Sequence, residues 1–344
     1  MDQSKLKLYY NNINGLITKQ DSLCDIVQMR EPDLIALCET KLHTNSKFEI
    51  DGYKVLKSSL KAGKEGILVA AKKGTFNNIE LIYEAVSKQI ATVEIEYPNT
   101  ILRLTVAHGP QEGADDEEKE EFYVDLTAEI QRGLENNCKV VLVGDLNARL
   151  AHEAGKLKES HGNGRRLKYI IDKFELNVLT IQPNTEGKWT RIQRKGDSVC
   201  KSEIDYIITD STTILGAGKT VIDEDKMFTP HRMKSGREKI IVFSDHCAIT
   251  TELEIVKGTA KERQSGEKVK RWKLTPEGMA RYQELTSKEV GLGKMEVYEE
   301  PFEVWRKKVD SIMHQCFERR TITVGRNQQD KPTNKGMKIR RILK

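Results

Sequence analysis

The 344-residue sequence lacks four features that would each assign it to a particular class of protein. It has no CxxC pair, no apolar run of membrane length, no internal repeat and no signal peptide at its N-terminus. Most of its six cysteines stand inside apolar segments, which is typical of reduced core residues and not of disulfides or zinc ligands. We therefore expect an intracellular, soluble protein that does not contact a membrane.

Positive charge is concentrated at one end of the chain. Residues 1–257 contain 36 Lys and Arg against 40 Asp and Glu, a net charge of −4, whereas residues 258–344 contain 21 against 12, a net charge of +9. A basic tail of this kind attracts polyanions such as DNA or RNA. The alternative is a solvated basic helix that has no ligand.

Hydrophobic periodicity predicts strands and helices in alternation. Eight strands are predicted, at Leu6–Tyr10, Leu34–Cys38, Gly66–Ala71, Ile90–Glu96, Ile101–Ala107, Val140–Val143, Ile204–Thr209 and Cys247–Val256. Pro98 and Asn99 predict a turn, and therefore an antiparallel hairpin, between the fourth strand and the fifth. Three helices are predicted from apolar faces that contain Leu23, Ile26 and Val27, then Phe122, Leu126, Ile130 and Leu134, then Leu167, Ile170, Ile171 and Phe174.

This mixture favours an α+β fold over a doubly wound parallel sheet. We expect a four-layer α/β/β/α sandwich, in which two packed mixed sheets are flanked by helices, with a helical extension at the C-terminus. The domain would cover residues 1–257, a polar linker residues 258–270, and a basic helical extension residues 271–344. Two amphipathic helices are predicted in the extension, from the spacing of Trp272, Leu274, Met279, Tyr282 and Leu285, and of Phe302, Val304, Trp305, Val309, Ile312, Met313, Cys316 and Phe317.

Polar residues stand at the ends of several predicted strands. The strand at Val140–Val143 leads into Asp145 and Asn147, which an extended backbone would point to the same face. Such a pair can orient a water and bind an oxygen of a substrate. Similar strand ends are Asn12-Ile13-Asn14-Gly15, Cys38-Glu39-Thr40, Glu203-Ile204-Asp205-Tyr206 and Ser244-Asp245-His246. Taken singly, an acid at a strand end is more often a turn residue and a lone histidine is usually structural.

The five motifs together are more specific than any one of them. Their order resembles the active site of the DNase I-like endonuclease/exonuclease/phosphatase superfamily over residues 5–256, through Asn12, Glu39, Asp145, Asn147, Asp205, Asp245 and His246. Within that superfamily, six short sequence motifs resemble those of the endonuclease of non-LTR (LINE-type) retrotransposons. They are Asn12-Ile13-Asn14-Gly15-Leu16, Glu39-Thr40-Lys41-Leu42, Gly144-Asp145-Leu146-Asn147, Asn163-Gly164-Arg165-Arg166-Leu167, Trp189-Thr190 and Ser244-Asp245-His246.

The resemblance implies a role for each residue of the site. Glu39 would be the main ligand of Mg²⁺, with Mn²⁺ as an alternative cation, and Asp245 and Asn14 would lie at or close behind the same ion. Asp145 would orient or deprotonate the attacking water, held by Asn12 and Asn147. The remaining roles fall to His246, which Asp205 would orient toward the phosphate, and to the supporting donors Ser244 and Thr190.

His108 departs from the family pattern, since relatives usually have Tyr in this segment. An imidazole can still donate to a phosphate, although its charge changes near neutral pH where that of a phenol does not. The alternative is a turn residue beside Gly109 and Pro110.

Basic residues near the motifs are candidate DNA contacts. A loop between Thr190 and Ser202 contains Arg191, Arg194, Lys195 and Lys201, and a helix begins with Arg165 and Arg166, where its N-terminus could face a phosphate. The alternatives are a solvated hairpin tip and an exposed helix start.

The resemblance implies an endonuclease that nicks duplex DNA and leaves a 3′-hydroxyl, which would prime reverse transcription of element RNA in the nucleus. Residues 270–274 and the helices after them resemble the linker to a reverse transcriptase domain, and no polymerase motif follows. We expect the chain to be an N-terminal piece of a longer polyprotein. The alternatives are an abasic-site repair endonuclease, a small-substrate phosphatase, and a nucleic-acid-binding module whose catalysis has decayed.

Overall fold

The structure, a computed structural model, describes most of the first 255 residues and parts of the remainder. The described ranges are 4–43, 46–58, 65–84, 89–97, 100–210, 219–234, 240–255, 268–273, 276–289, 311–313, 315–316 and 318–323. The chain divides into two compact units, Met1–Ala260 and Lys261–Lys344. The predicted domain boundary after residue 257 precedes this division by a few residues that lie outside the described ranges.

The first unit is built mainly from strands. They are β1 Ser4–Asn12, β2 Leu34–Cys38, β3 Tyr53–Lys57, β4 Leu68–Lys72, β5 Asn78–Glu84, β6 Ile90–Tyr97, β7 Thr100–His108, β8 Lys139–Asp145, β9 His152–Glu153, β10 Lys156–Leu157, β11 Leu176–Val178, β12 Arg191–Lys195, β13 Ser198–Ser202, β14 Asp205–Asp210, β15 Val221–Ile222, β16 His231–Lys234, β17 Ile240–Phe243 and β18 Ile249–Ile255. The helices are α1 Gln20–Arg30, α2 Asp116–Glu135 and α3 Gly162–Lys173, with short 3-10 helices at Ile17–Lys19 and Leu179–Ile181.

Two six-stranded mixed sheets form the middle of the molecule. The first has the order β15-β18-β1-β2-β4-β3, and the second has the order β11-β14-β8-β7-β6-β5. In the first sheet β1 runs parallel to β2, and in the second β7 runs parallel to β8, whereas the other neighbours are antiparallel. Three further two-stranded hairpins, β9–β10, β12–β13 and β16–β17, project from the loops.

Each sheet buries both of its faces, which produces four layers. Alternate residues such as Leu8 and Leu104 fill the core between the sheets. The outer face of the first sheet packs against α1 through Leu23, and that of the second packs against α2 and α3 through residues such as Leu126 and Leu167. The predicted α/β/β/α sandwich is therefore confirmed.

All eight predicted strands are present, and their ends differ by no more than two residues. The turn at residues 98–99 lies outside the described ranges, but β6 and β7 pair antiparallel as expected. The sequence did not predict β3, β5 or the short hairpins. These strands are short or partly exposed, so they lack the apolar runs that marked the central strands. Among the described helices, none is long and apolar enough to cross a membrane.

All six cysteines lie among the described residues, and none of them is in a disulfide. Cys38, Cys138 and Cys247 are buried, which agrees with a role in the core. Cys200 is exposed on β13, so the expectation of a core residue was wrong there. Its strand pairs with β12 in a two-stranded hairpin, and four of its five residues are exposed.

The second unit contains β19 Lys268–Lys273, α4 Pro276–Glu289 and β20 Glu318–Thr323. Helix α4 contains Met279, Tyr282 and Leu285 of the first predicted amphipathic helix, whereas Trp272 lies in β19 and Leu274 lies outside the described residues. Strand β19 pairs antiparallel with β20, so the expectations of a linker at residues 268–270 and of a purely helical extension were wrong. Pairing across 45 residues is a long-range contact that local periodicity does not contain. The second predicted helix lies largely outside the described residues, although residues 311–313 and 315–316 are helical.

Candidate active site

The strand ends meet at one edge of the two sheets. Asp145 ends β8 and lies in register with Asp205 at the start of β14 and with His108 at the end of β7. In the other sheet, β1 runs parallel to β2, so Asn12 at the end of β1 lies beside Cys38 at the end of β2. Glu39 is the next residue after Cys38. Topology therefore gathers residues that are more than a hundred positions apart in the sequence.

Asn12 joins the two sheets through its side chain. Its Nδ2 donates to Glu39 Oε1 at 3.0 Å and to Asp145 Oδ2 at 3.0 Å, and the residue is fully buried. Its backbone oxygen accepts a hydrogen bond from Ser244 Oγ at 2.6 Å. An amide that donates to two carboxylates reduces their mutual repulsion and fixes their spacing.

Asp145 and Asn147 do not share a face on an extended strand, so that expectation was wrong. Strand β8 ends at Asp145, and Asn147 has a left-handed backbone with φ of 45°. The turn arises because the backbone N–H groups of Gly109 and Leu146 bond to Asp145 and Ile204 across the sheet. As a result the N–H of Asn147 donates to Asp145 Oδ1 at 3.1 Å, while its Nδ2 donates to the Gly109 carbonyl at 2.9 Å.

His246 is held by Asp205. Its Nδ1 lies 2.9 Å from Asp205 Oδ2, and its Nε2 lies 3.6 Å from Asp145 Oδ2. Burial alone would lower the pKa of His246, but the carboxylates of Asp205 and Asp145 outweigh burial and raise it to about 9. Asp205 is positioned in turn by the Tyr10 hydroxyl, which donates to Oδ1 at 2.9 Å, and by Thr190, whose Oγ1 accepts its backbone N–H.

The Asp145 carboxyl is buried at the catalytic edge, where only 2% of the residue is exposed. Burial, followed by repulsion from Asp205, raises its pKa, while His246 and His108 oppose that rise. A carboxylate with a raised pKa is a stronger base than a solvated one, as a general base requires.

His108 is the last residue of β7 and does not lie in the turn that follows it. Its Nε2 lies 3.6 Å from Glu39 Oε1 and 3.8 Å from Asp145 Oδ2. Its other ring nitrogen, Nδ1, is buried without a hydrogen-bond partner. Lys41 also approaches Glu39, with 3.4 Å between Nζ and Oε2. Besides Asn12, the side chains of His108 and Lys41 therefore lie beside the partly exposed carboxylate of Glu39.

Glu39, His108 and Asp145 offer one ligand atom each within 4.8 Å of one another, and so do Asp145, Asp205 and His246. Of the predicted ligands, only Glu39 belongs to either group. Asp245 instead accepts a hydrogen bond from Arg191 Nε at 2.8 Å. Burial opposes a low pKa for Asp245, but His246 and Arg191 lower it.

Asn14 likewise has a protein partner. Its Oδ1 accepts a hydrogen bond from Lys41 Nζ at 2.5 Å. Asn14, Glu39 and Asn147 all have positive φ, at 45°, 51° and 45°, which L side chains rarely adopt. Such strain costs on the order of 1 kcal/mol for each residue and is found most often at functional sites.

Three buried residues support the site without having been predicted. Tyr10 positions Asp205, and Lys19 Nζ donates to the carbonyls of Ile13 and Asn14 at 2.7 Å. Burial lowers the pKa of Lys19 to about 8. The third residue, Asn163, was noted only as part of a motif. Buried polar side chains of this kind need partners, but sequence does not name the partners.

Asn163 links α3 to the catalytic loops. Its Nδ2 donates to the carbonyls of Pro110 at 2.8 Å and Asn147 at 3.1 Å. The backbone N–H of Asn163 points to the Glu112 carboxylate, at 3.3 Å and 3.2 Å from its two oxygens. A carboxylate of the chain therefore lies at this helix N-terminus, where the sequence left open either a phosphate or an exposed helix start.

Replacing Asn163 by Ala should lower kcat more than it raises KM. The change removes two hydrogen bonds from a fully buried residue and leaves two carbonyls unpaired, which costs about 1–3 kcal/mol of stability. Urea unfolding and steady-state kinetics would measure both effects, with Asn177→Ala on the exposed position of β11 as the control. A stable Asn163→Ala protein with unchanged kcat would show that the loops do not need this support.

The predicted DNA contacts lie on the β12–β13 hairpin and on helix α3. Arg194 and Lys201 are exposed on the β12–β13 hairpin, and Lys195 lies in β12. Arg191 begins the same hairpin but pairs with Asp245. On α3, Arg165 is exposed.

Arg166 points elsewhere, since it pairs with Asp116 and Glu120 of α2 at 3.4 Å and 4.0 Å. A cleft of about 250 Å³ beside the catalytic edge is lined by Arg149, Arg191 and Lys201. Arg149 was not predicted, because it follows the catalytic strand without any motif of its own.

A four-layer sandwich with carboxylates, amides and an imidazole at one sheet edge defines a DNase I-like hydrolase. The chain belongs to the Endonuclease/Exonuclease/phosphatase family, whose model matches residues 12–246. The family comprises nucleases and phosphatases, so the sequence-based superfamily assignment is confirmed. No curated protein matches the sequence.

Solved structures share the fold at low sequence identity. The 3′-5′ exonuclease NExo from Neisseria meningitidis is 18% identical, with a TM-score of 0.56 over 72% of this chain and 100% of that chain. The endonuclease domain of TRAS1, a telomere-specific non-LTR retrotransposon, is 16% identical, with a TM-score of 0.53 over 72% and 98%. An AP endonuclease from Archaeoglobus fulgidus is 16% identical, with a TM-score of 0.55 over 73% and 100%.

Proposed function

We propose that the protein is a Mg²⁺-dependent endonuclease that nicks duplex DNA and leaves a 3′-hydroxyl. The observation that carries this proposal is the convergence of Asn12, Glu39 and Asp145 with the His246–Asp205 pair. Phosphodiester hydrolysis needs a base for water, charge neutralisation at phosphorus and a donor to the phosphate or the departing oxygen. Asp145 would be the base, His246 would be the donor, and a cation held by Glu39 would neutralise the charge.

The donor set fits a hard divalent cation. Glu39 and Asp145 contribute carboxylate oxygens, and the Glu39 side chain is 23% exposed, which leaves it accessible to an ion. Bound Mg²⁺, or Mn²⁺ in its place, would neutralise charge on the phosphate and the departing oxygen. We assign the main ligand role to Glu39. Ligand roles for Asn14 and Asp245 would require them to exchange Lys41 and Arg191 for the cation.

The chain's own residues would handle the protons. Asp145 would accept the proton of the attacking water, since burial strengthens it as a base. Protonated His246 would donate from Nε2 to the phosphate, because Asp205 occupies Nδ1 and fixes the ring. Asn12 and Asn147 would hold Asp145, while Ser244 and Thr190 hold the segments that bear Asn12 and Asp205.

Duplex DNA is the substrate that best matches the surface. Arg149, Arg191 and Lys201 line a cleft beside the site, and Arg194 is exposed on the hairpin next to it. Cations in this arrangement would bind phosphates on either side of the scissile bond. Arg165 at the start of α3 would provide a more peripheral contact.

A retrotransposon origin is supported by the six sequence motifs that resemble retrotransposon endonucleases and by the fold shared with the TRAS1 endonuclease domain. The 3′-hydroxyl would then prime reverse transcription of element RNA by a reverse transcriptase domain in the same polyprotein, which requires access to the nucleus. The basic residues from 258 onward would help to hold nucleic acid or that domain.

The decisive assay is nicking of supercoiled plasmid by the full chain with Mg²⁺ and with EDTA. Extension of the nicks by a DNA polymerase would demonstrate 3′-hydroxyl ends, and mapping nick positions on a long duplex at physiological salt would give the site preference. Absence of nicking under all metal conditions would favour a decayed binding module instead.

An abasic-site endonuclease is the second candidate, since an AP endonuclease has the same fold. The two functions differ in substrate and not in catalytic residues. Duplexes that are identical except for one abasic site would separate them. Preference for the abasic duplex by about 100-fold or more would favour repair, while equal cleavage would favour the retrotransposon function.

The pH dependence should report His246. We expect nicking to fall as pH rises through about 9, where Nε2 loses its proton, and Asp205→Asn should move this loss to lower pH. Stability should change in the same direction. Because the folded pKa exceeds the ordinary imidazole value of 6.5, the contribution is complete below 6.5 and is lost as pH rises through about 9.

Profiles of kcat/KM from pH 6 to 10 for both proteins would test this expectation. Asp172→Asn on the exposed side of α3 is the matched control and should leave the profile unchanged. An alkaline limb that stays in place in Asp205→Asn would contradict the assignment of His246.

A further inference from the structure

The β16–β17 hairpin exposes an apolar face. Among the residues that the structure describes, eleven large apolar side chains are exposed, and five of them lie between positions 227 and 243. Met233 and Ile241 are opposite each other across the hairpin, with exposed fractions of 54% and 49%. Phe243 continues this face with an exposed fraction of 38%, and its ring is tilted against that of His231, with 5.3 Å between the ring centroids. Clustered exposure of this kind marks an interaction surface.

This apolar face adjoins the catalytic edge. Strand β17 ends at Phe243, and the next residue, Ser244, bonds to the Asn12 carbonyl. The backbone from Phe243 to His246 spans at most about 10 Å. Lys226 fixes the intervening segment by donating to the carbonyls of Ser244 and Asp245 at 3.1 Å and 3.2 Å. A phosphodiester at the site would therefore bring its neighbouring nucleotides to the hairpin.

A positive charge on the β16–β17 hairpin favours an anionic partner there. Arg232 is exposed on the opposite face of the hairpin, so this one hairpin presents both an apolar face and a cation. Proteins bind exposed bases by combining these two features, with an apolar or aromatic surface for the bases and cations for the backbone.

We propose that Met233, Ile241 and Phe243 form a contact surface for unpaired bases, so that the preferred substrate is a duplex with a locally unpaired segment beside the scissile phosphate. This inference rests on the proposed function for its choice of nucleic acid. In a paired duplex the base faces are stacked on one another, and an apolar side chain can reach them only after unstacking. A bulge or mismatch has already lost that stacking, so the hairpin gains the contact without the cost.

Binding in EDTA tests this surface separately from catalysis. Fluorescence anisotropy with the full chain would compare a duplex that has a three-nucleotide bulge with a fully paired duplex of the same length. We expect the bulged duplex to bind about tenfold more tightly. The double variant Met233→Ser/Ile241→Ser should reduce that preference to within about twofold and leave the paired duplex nearly unaffected. Both side chains are about half exposed, so the fold should tolerate the changes.

Val124→Ser is the matched control, because Val124 is 56% exposed on α2, away from the catalytic edge. It should keep the full preference. Equal binding of both duplexes by the unmodified protein would overturn the inference, as would a preference that survives in the double variant. So would loss of self-association in the double variant without any change in DNA preference, since the face would then join two copies. If the protein binds the bulged duplex more tightly but does not nick DNA in Mg²⁺, only the proposed endonuclease function is contradicted.

Discussion

Replacing Asp145 by Asn should lower kcat for nicking of supercoiled DNA by about 10³-fold, within the range that general-base catalysis contributes. The change keeps the shape of the side chain and removes its negative charge. Without that charge the residue cannot accept a proton from water. The group of possible metal ligands formed by Glu39, His108 and Asp145 also loses one of its two carboxylates. The effect on KM should be much smaller, because the proposed phosphate contacts lie on other residues.

Stability should not fall with activity in Asp145→Asn. Burial penalises the ionised carboxyl, and Asp205 repels it, so the neutral amide relieves both costs, which offsets the loss of one of the two hydrogen bonds that Asp145 accepts from Asn12 and Asn147. Thermal unfolding should therefore show an unchanged or higher midpoint beside the kinetic loss. Asp172→Asn, at a half-exposed position of α3, should alter neither quantity. If Asp145→Asn retained kcat to within tenfold, the base would have to be another group.

The largest loss of stability is expected from Arg103→Met. Arg103 lies under α2 on β7 and is only 2% exposed. It donates to Glu129 at 2.8 Å and to Glu94 at 3.2 Å, and Glu129 is fully buried. Removing the guanidinium leaves the Glu129 carboxylate with Arg132 as its remaining ion-pair partner. We expect the free energy of unfolding to fall by about 3 kcal/mol, at the lower end for breaking a buried pair.

The double variant Arg103→Met/Glu129→Leu separates the cost of an unpaired charge from the value of the ion pair. Apolar replacement of both partners removes the unpaired carboxylate, so most of the lost stability should return. Urea unfolding of the three proteins would measure this. Equal loss in the single and double variants would mean that packing around Arg103, and not charge, holds α2 to the sheet. Nicking by the folded fraction should be unchanged, since Arg103 lies outside the catalytic edge.

Local pattern was sufficient for the central elements of this fold. The eight apolar strands and the three helices of the sandwich depend on burial of alternate or periodic side chains, which is visible in each segment by itself. The same holds for α4. Segments without a continuous apolar face, such as β12–β13, depend on a neighbouring strand and could not be recognised in that way.

The candidate site was predicted as a set of residues but not as a geometry. The sequence predicted Asp145, Asp205 and His246 as site residues. It also predicted that Asp205 orients His246, and the structure places these two in hydrogen-bond contact. The left-handed turn at Asn147 was not foreseen, because hydrogen bonds from other segments impose it. Nor was the pairing of Arg191 with Asp245, since opposite charges 54 positions apart meet only in the folded chain.

The sequence by itself determined the eight apolar strands and the polar side chains at their ends, because periodicity and residue type are local properties of the chain. Only the tertiary structure decided that Asn12 reaches from one sheet to a carboxylate on the other, and that Tyr10 holds Asp205. These contacts cross the core between two sheets. They exist because burial forces each polar group to find a partner, and which partner lies within reach depends on how the whole chain packs.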